Sequence, residues 1–346
     1  MFSEKSAAVR GLEIGGKAPV SVQTMYDSPI AGADVDGIVA RIGRLSAMGC
    51  DIIRFAFTSR NDSKPFSEIA ARSPIPVVAD IHFDWRMALL ALESGADKIR
   101  INPGNIGEEW KVKEVVEAAK DKGAAIRIGL NSGSLPAKFS SLPHERAMVE
   151  SSLEYIDLLE SWGFGNIVVS LKSSSAEETV EAARLFSSIS PYPQHIGVTE
   201  AGSPVISAVR STWALGNLLK EGIGDTLRVS MTGDIEDEVI AGVELLRSLG
   251  LRKKGVRIIS CPRCGRASFD SIAFEKRIRS RLLSLDNDIS VAIMGCHVNG
   301  PGEAADADYA ITGYGHDVCI YSHGRLVLKT DWERAEDDLM EVIKGE

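Results

Sequence analysis

No run of apolar residues in the 346-residue chain is long enough to span a bilayer, and residues 1–16 carry no apolar core of signal-peptide length. Cysteine is scarce as well: there are five, without the dense, even pattern of a disulfide-stapled secreted protein. Together these absences predict a cytoplasmic protein with no membrane partner. Positive charge is also in short supply. A net charge of −9 argues against general nucleic-acid binding, which needs a basic footprint. Aromatic residues make up only 6% and are not interleaved with basic ones, so a single-strand stacking surface is not expected either. Finally, no Gly-rich dinucleotide turn follows the first strand-like run, which counts against a doubly wound open sheet.

With 44% apolar and 25% charged residues, the chain has the balance of an ordinary globular protein and the length for two domains. Short β-rich runs recur at 20–25, 52–57, 76–81, 98–102, 125–131, 167–172, 195–200 and 226–232. Helical periodicity marks 35–48, 85–94, 110–122, 147–162, 176–188 and 203–221 between them. Eight strands alternating with helices over this length fit a (β/α)8 TIM barrel, closed by a helix at 235–249. A basic junction at 250–255 leads into a second pattern: strands at 256–259, 290–294, 309–312, 318–322 and 326–329, with helices at 269–284 and 331–343. The expected domains are a barrel over 1–249 and a small α+β domain over 250–346. Cys50 and Cys319 sit in apolar surroundings and are expected to pack as core residues.

A barrel of this kind places its chemistry at the C-terminal ends of the strands. Those ends carry Gln23, Arg54, Asp80, His82, Arg100, Asn102, Arg127, Asn131, Ser170, Lys172, Thr199, Glu200, Arg228 and Ser230. Polar groups embedded in apolar strands are costly without partners or a task, and here all eight strands have them. Arg54, Arg100, Arg127, Lys172 and Arg228 would converge on one mouth of an otherwise acidic protein. Guanidinium forks match phosphate oxygens, so the expected ligand is a small polyanion, with a diphosphate the best match. Asp80, His82 and Glu200 would add hydrogen bonding and proton transfer.

Three of the five cysteines fall in one late stretch, 260–303. Cys261 and Cys264 form a CxxC turn, and Cys296 follows about thirty residues later beside a Gly-Pro-Gly corner. No fourth cysteine follows; Glu303 and His297 are the candidate fourth donors. Two readings fit these donors. One is a Cys3His zinc staple; the other is an iron–sulfur cluster with one iron held by a labile, harder ligand and therefore open to substrate.

Several long runs, in order, resemble the 4-hydroxy-3-methylbut-2-enyl diphosphate synthase family. They are PVSVQTM at 19–25, VADIHFD at 78–84, DKIRINPGNIG at 97–107, IRIGLNSGSL at 126–135, GVTEAG at 197–202, EGIGDTLRVS at 221–230, CPRCGR at 261–266 and GCHVNGPGEA at 295–304. One departure is Tyr26-Asp27-Ser28, where many family members carry a Thr-Asn-Thr turn.

The resemblance implies a [4Fe–4S] cluster on Cys261, Cys264 and Cys296, with Glu303 as fourth ligand. It implies a head-to-tail homodimer in which one subunit's cluster domain caps the other's barrel. The implied reaction is reductive ring opening and dehydration of 2-C-methyl-D-erythritol 2,4-cyclodiphosphate, with single electrons from flavodoxin or ferredoxin. On that reading Arg54, Arg100, Asn102, Arg127, Asn131, Lys172, Arg228 and Ser230 bind substrate. Glu200 supplies a proton, His82 and Asp80 place the substrate, and Asn299 bonds a sulfide or the bound oxygen.

Anaerobic purification separates the two metal readings. A brown protein with about four irons and four sulfides per chain is expected, whereas one zinc in a colourless protein would establish the staple.

Overall fold

The computed structural model describes residues 3–345 except 140, 254, 263, 286, 297–305 and 315–316, and leaves the side chains of residues 103, 104, 134 and 137 undescribed. The chain divides into two compact units, Met1–Arg252 and Lys253–Glu346. Arg252, expected in the junction, stays with the first unit because its guanidinium forks onto Asp51, with Nη1–Oδ2 at 3.0 Å and Nη2–Oδ1 at 3.2 Å.

The first unit opens with an antiparallel hairpin, β1 (Ser6–Val9) and β2 (Leu12–Gly15), that the periodicity did not predict. Its two-residue turn needs positive φ, which Gly11 adopts freely at 77° and Arg10 adopts at 39° under strain. Arg10 is held there by its guanidinium, which donates to the carbonyls of Ala70 (3.0 Å), Ser73 (3.2 Å) and Ile75. The hairpin buries Ala7, Val9 and Ile14 against Ile52, Val78, Ala125 and Val168, residues at the N-terminal ends of barrel strands. It therefore forms the apolar floor of the barrel.

Eight parallel strands follow: β3 (Ser21–Met25), β4 (Ile52–Ala56), β5 (Val77–Asp80), β6 (Lys98–Ile101), β7 (Ala125–Asn131), β8 (Ile167–Lys172), β9 (His195–Ile196) and β10 (Thr226–Leu227). They are paired in the order β8-β7-β6-β5-β4-β3-β10-β9. The ring closes where Val169 bridges Gln194, next to β9, and donates its N–H to Pro193 O at 2.9 Å. Helices α1 (Val35–Ala47), α2 (Ser63–Arg72), α3 (Trp85–Glu93), the short α4 (Pro103–Ile106), α5 (Glu109–Lys122), α6 (His144–Ser161), α7 (Ala176–Ile189), α8 (Pro204–Lys220) and α9 (Ile235–Ser248) complete the TIM barrel. Among the described residues no helix is long and apolar enough to cross a membrane.

α2 was not expected from the pattern. Its Pro65 falls in the first turn, where a missing N–H costs nothing, and Phe66, Ile69 and Ala70 anchor it. β9 and β10 are shorter than the runs at 195–200 and 226–232. After Ile196 the chain presses against its neighbour at Gly197, where an added Cβ would lie 2.6 Å from Arg228 O, and Glu200 then turns left-handed at φ 52°.

The second unit is a five-stranded sheet in chain order: β11 (Arg257–Ser260), β12 (Ser290–Met294), β13 (Tyr309–Tyr314), β14 (Asp317–Ser322) and β15 (Arg325–Thr330). β11, β12 and β13 are parallel, whereas β13, β14 and β15 are antiparallel. Helix α10 (Ser271–Leu283) and the closing helix Ala335–Lys344 cover one face, packing Phe274, Ile278, Leu282 and Leu339 on Val291 and Ile293. Cys50 and Cys319 are both buried, as expected.

The floor predicts a stability effect. Ile14→Ala should cost about 2–5 kcal/mol in chemical denaturation, whereas Val327→Ala on the exposed edge strand β15 should stay within about 0.5 kcal/mol. Equal costs would show that the hairpin does not seal the barrel.

Candidate active site

Parallel barrel strands buried on both faces usually read as unbroken apolar runs. Here alternate positions are polar. On β7, Ile126, Ile128 and Leu130 alternate with Arg127, Gly129 and Asn131, and all but Asn131 are buried. Period-two alternation sends one set to the helices and the other to the barrel axis. The inward set opens at the C-terminal end into a cavity of about 260 Å³. Its lining is Met25, Arg54, Asp80, His82, Arg100, Arg127, Asn131, Ser170, Lys172, Thr199, Arg228 and Ser230.

Asp80 is the hub of this lining. Its carboxylate lies 3.4 Å from Arg100 Nη1, 3.4 Å from His82 Nε2 and 3.9 Å from Arg54 Nε. Burial alone would raise its pKa, but Arg54, the His82 hydrogen bond, Arg100 and Arg127 outweigh that and hold it well below the usual carboxylate range. The cations feel the opposite pressure. Burial, opposed by Asp80 and reinforced by Arg228 and Arg100, brings Arg54 down to about 10, still a cation at neutral pH. Arg127 is pushed well below the ordinary arginine range by burial, then by Arg54 and Arg100, and Lys172 by burial, then by Arg127 and Arg54. Arginine keeps its proton near neutrality all the same, so the mouth carries charge in need of an anion. Arg127 Nε and Nη1 are buried with no hydrogen-bond partner among the described residues, a costly state unless a ligand or water supplies the acceptor.

Residues behind the lining aim it. Glu238 of α9, buried at 3% exposure, accepts from Arg228 Nε (2.9 Å) and Nη2 (2.7 Å), from Thr24 Oγ1 (2.6 Å) and from the Met231 N–H (3.2 Å). Arg54 lays Nε and Nη2 against Met25 Sδ at 3.2 and 2.8 Å. Arg100 Nη2 donates to Gly129 O at 3.1 Å, and a Cβ on Gly129 would sit 2.3 Å from Arg100 Nε. Likewise a Cβ on Gly197 would lie 2.7 Å from Lys172 Nζ, so glycine there makes room for the lysine. The divergent first loop is tied down by Arg41, which reaches Asp27 at 3.1 Å and Glu236 at 2.9 Å.

Of the residues singled out from sequence, Arg54, Asp80, His82, Arg100, Arg127, Asn131, Ser170, Lys172, Thr199, Arg228 and Ser230 meet at this cavity. Asn102 is buried at the end of β6 and Gln23 lies deeper on β3; neither belongs to the lining. Glu200 is exposed, one residue past Thr199 on the rim. Asn299, Glu303 and His297 lie outside the described residues. Sequence reasoning missed Met25 and Glu238. Met25 ends the first strand and could have been found by alternation from Gln23; nothing local marks Glu238, 214 residues from Thr24.

In the second unit, Cys261 follows β11 and donates its N–H to Ile293 O at 2.9 Å, while Cys296 follows β12. The Ser268 and Phe269 N–H groups fold the CxxC turn onto Gly295 O, beside Cys296. Cys261, Cys264 and Cys296 are thus unlinked thiols at the C-terminal edge of two adjacent parallel strands. Such a donor set suits an iron–sulfur group that several thiolates share. Among the described residues no three His, Cys, Asp or Glu side chains converge closely enough to hold a single metal ion.

Residues 4–243 match the family model described as GcpE TIM-barrel domain, and residues 257–345 the GcpE protein C-terminal domain. Three similar relatives are each named 4-hydroxy-3-methylbut-2-en-1-yl diphosphate synthase (flavodoxin). The one from Symbiobacterium thermophilum is 45% identical, covering 98% of this chain and 92% of its own. That from Geobacter sulfurreducens is 45% identical over 97% and 96%, and that from Lawsonia intracellularis 46% over 98% and 94%. Among solved structures, a truncated 3-deoxy-D-arabino-heptulosonate 7-phosphate synthase from Thermotoga maritima has TM-score 0.52 at 12% identity, covering 72% of this chain and 97% of its own. Yersinia pestis dihydropteroate synthase has TM-score 0.50 at 11%, covering 72% and 100%. These two likenesses concern the barrel fold alone.

Because its folded-state pKa is depressed, Asp80 contributes stability above the ordinary carboxylate pKa of about 4, and loses it as pH falls below that value. Asp80→Asn should therefore destabilise the protein at pH 7 by about 3–5 kcal/mol, with the deficit shrinking below about pH 4. A deficit that does not change with pH would separate Asp80 from the cationic cluster. Gly129→Ala should weaken anion binding at least about tenfold by displacing Arg100, as read by calorimetry with a small cyclic diphosphate.

Proposed function

The chain belongs to the GcpE family, and on that premise we propose that it converts 2-C-methyl-D-erythritol 2,4-cyclodiphosphate to 4-hydroxy-3-methylbut-2-enyl diphosphate, as an iron–sulfur oxidoreductase of non-mevalonate isoprenoid biosynthesis. The observation that carries this reading is the cationic cavity at the C-terminal face of the barrel, sized and charged for a small diphosphate. Cys261, Cys264 and Cys296, with Glu303 as fourth ligand, would hold a [4Fe–4S] cluster. When bound, such a cluster supplies single electrons and a Lewis-acidic iron.

The reaction takes two electrons and one proton. The carbon–oxygen bond to one ring phosphate breaks, the diphosphate leaves as an open chain, and a hydroxyl departs as water. Arg54, Arg100, Arg127, Lys172 and Arg228 hold the diphosphate and stabilise the oxygen that gains charge as the ring opens. Asn102, Asn131 and Ser230 add uncharged hydrogen bonds to the substrate. Asp80, ionised by its cationic neighbours, orients Arg54, Arg100 and His82 toward the ligand. Glu200 at the rim delivers the proton that turns the departing hydroxyl into water, and Asn299 serves as a hydrogen-bonding group near the reacting oxygen. Electrons come from flavodoxin, with ferredoxin the alternative. The protein works in the cytoplasm as a homodimer, each barrel served by the partner subunit's cluster domain.

Steady-state turnover with a chemical reductant tests the roles. Glu200→Gln should lower kcat about 10²–10⁴-fold with little change in KM, and Arg127→Met should raise KM at least about tenfold. Glu303→Ala should keep iron and sulfide but lose turnover; normal turnover would remove it from the ligand set.

A further inference from the structure

Below the cavity lining runs a second polar tier. Gln23 stands two residues before Met25, Lys98 two before Arg100, Thr226 two before Arg228 and His195 two before Gly197, so period-two alternation turns all four inward. Lys98 is 0% exposed, and Gln23 and His195 are each 1% exposed. Lys98 Nζ, both amide atoms of Gln23 and His195 Nε2 have no hydrogen-bond partner among the described residues; His195 Nδ1 lies 3.4 Å from Thr226 Oγ1.

The charged groups that bear on Lys98 are Arg127 of β7 and Arg54 of β4. Those that bear on His195 are Lys172 of β8, Arg127, Lys98 and Arg54. All are cations. The carboxylate of the cavity lining, Asp80, is already shared by Arg54, Arg100 and His82, and among the described residues none pairs with Lys98. An ammonium enclosed in this way has no counter-ion among the described residues, which makes its charged form costly. A polyanion seated just above would supply the missing negative charge.

We propose that Lys98 is a proton acceptor built into the barrel beneath the anion cavity, so that each cyclic diphosphate that binds draws about one proton from solvent into the barrel. Burial, then Arg127 and Arg54, push the Lys98 ammonium well below its usual range, and His195 is lowered likewise by burial and then Lys172. The ring phosphates of the substrate are strong acids with nothing to release near neutrality, so any proton taken up goes to the protein. The barrel thus adjusts its positive charge to its ligand. It also takes in, before chemistry, as many protons as the reaction consumes. The inference rests on the reading of the cavity as the diphosphate site.

Isothermal calorimetry on the oxidised holoprotein, without reductant, tests it with the cyclic diphosphate in two buffers of different ionisation enthalpy. The wild type should take up about one proton per site, and because uptake favours binding at low pH, its affinity should fall up to about tenfold per pH unit as pH rises. Lys98→Met should bind with about one proton fewer and a flatter pH profile; Lys98→Gln, a polar alternative of similar size, should do the same. Binding by the wild type without uptake, or uptake unchanged in either variant, overturns the proposal and leaves the cavity reading intact. Absence of any binding overturns the cavity reading and the proposal with it. Should neither variant fold, a wild-type affinity flat between about pH 6 and 9 would be enough to reject the proposal.

Discussion

The barrel mouth carries more positive charge than it can neutralise from within, and much of the structure follows from that imbalance. Four arginines and a lysine line one cavity with Asp80 among them and Glu238 behind. Each buried guanidinium must be aimed, because a charge left without an oriented partner is expensive in a low-dielectric interior. Asp80 gathers three neighbours, Glu238 fixes Arg228 from both sides of its fork, and Gly129 and Gly197 clear space for Arg100 and Lys172. Two nitrogens of Arg127, which lines the cavity, remain without a hydrogen-bond partner among the described residues.

That charge also explains why the barrel is sealed so firmly below. Water entering from the N-terminal end would screen the cations and weaken their hold on an anion. The hairpin of β1 and β2 closes that end with Ala7, Val9 and Ile14 over a ring of apolar side chains. Polarity therefore rises along the barrel axis, from an apolar floor through the tier of Gln23, Lys98 and His195 to the charged mouth.

Much of the site was legible in the sequence because β strands alternate. Once eight runs were recognised, polar residues near their C-terminal ends had to point inward together, and eleven of those singled out meet at the cavity. Lys98 and His195 open their strands, away from the C-terminal ends where a barrel places its chemistry. Asn102, one residue past β6, is buried and is not among the residues that line the cavity. The hairpin went unseen because two four-residue strands carry too little periodicity to stand out, and α2 because Pro65 masks its start.

The sequence by itself determined the residue types and their phase: which strands alternate, which positions are cationic, and the CxxC-to-Cys spacing that marks the second unit. These are local properties, set by the period of a strand or the reach of a turn. Only the tertiary structure decided which distant groups complete them. Glu238 reaches Thr24 across 214 residues, Arg252 reaches Asp51 across 201, and Val169 closes the ring onto Gln194. Closing a cylinder brings together positions whose separation along the chain holds no trace of their contact, because it is the curvature of the whole sheet that sets their distance.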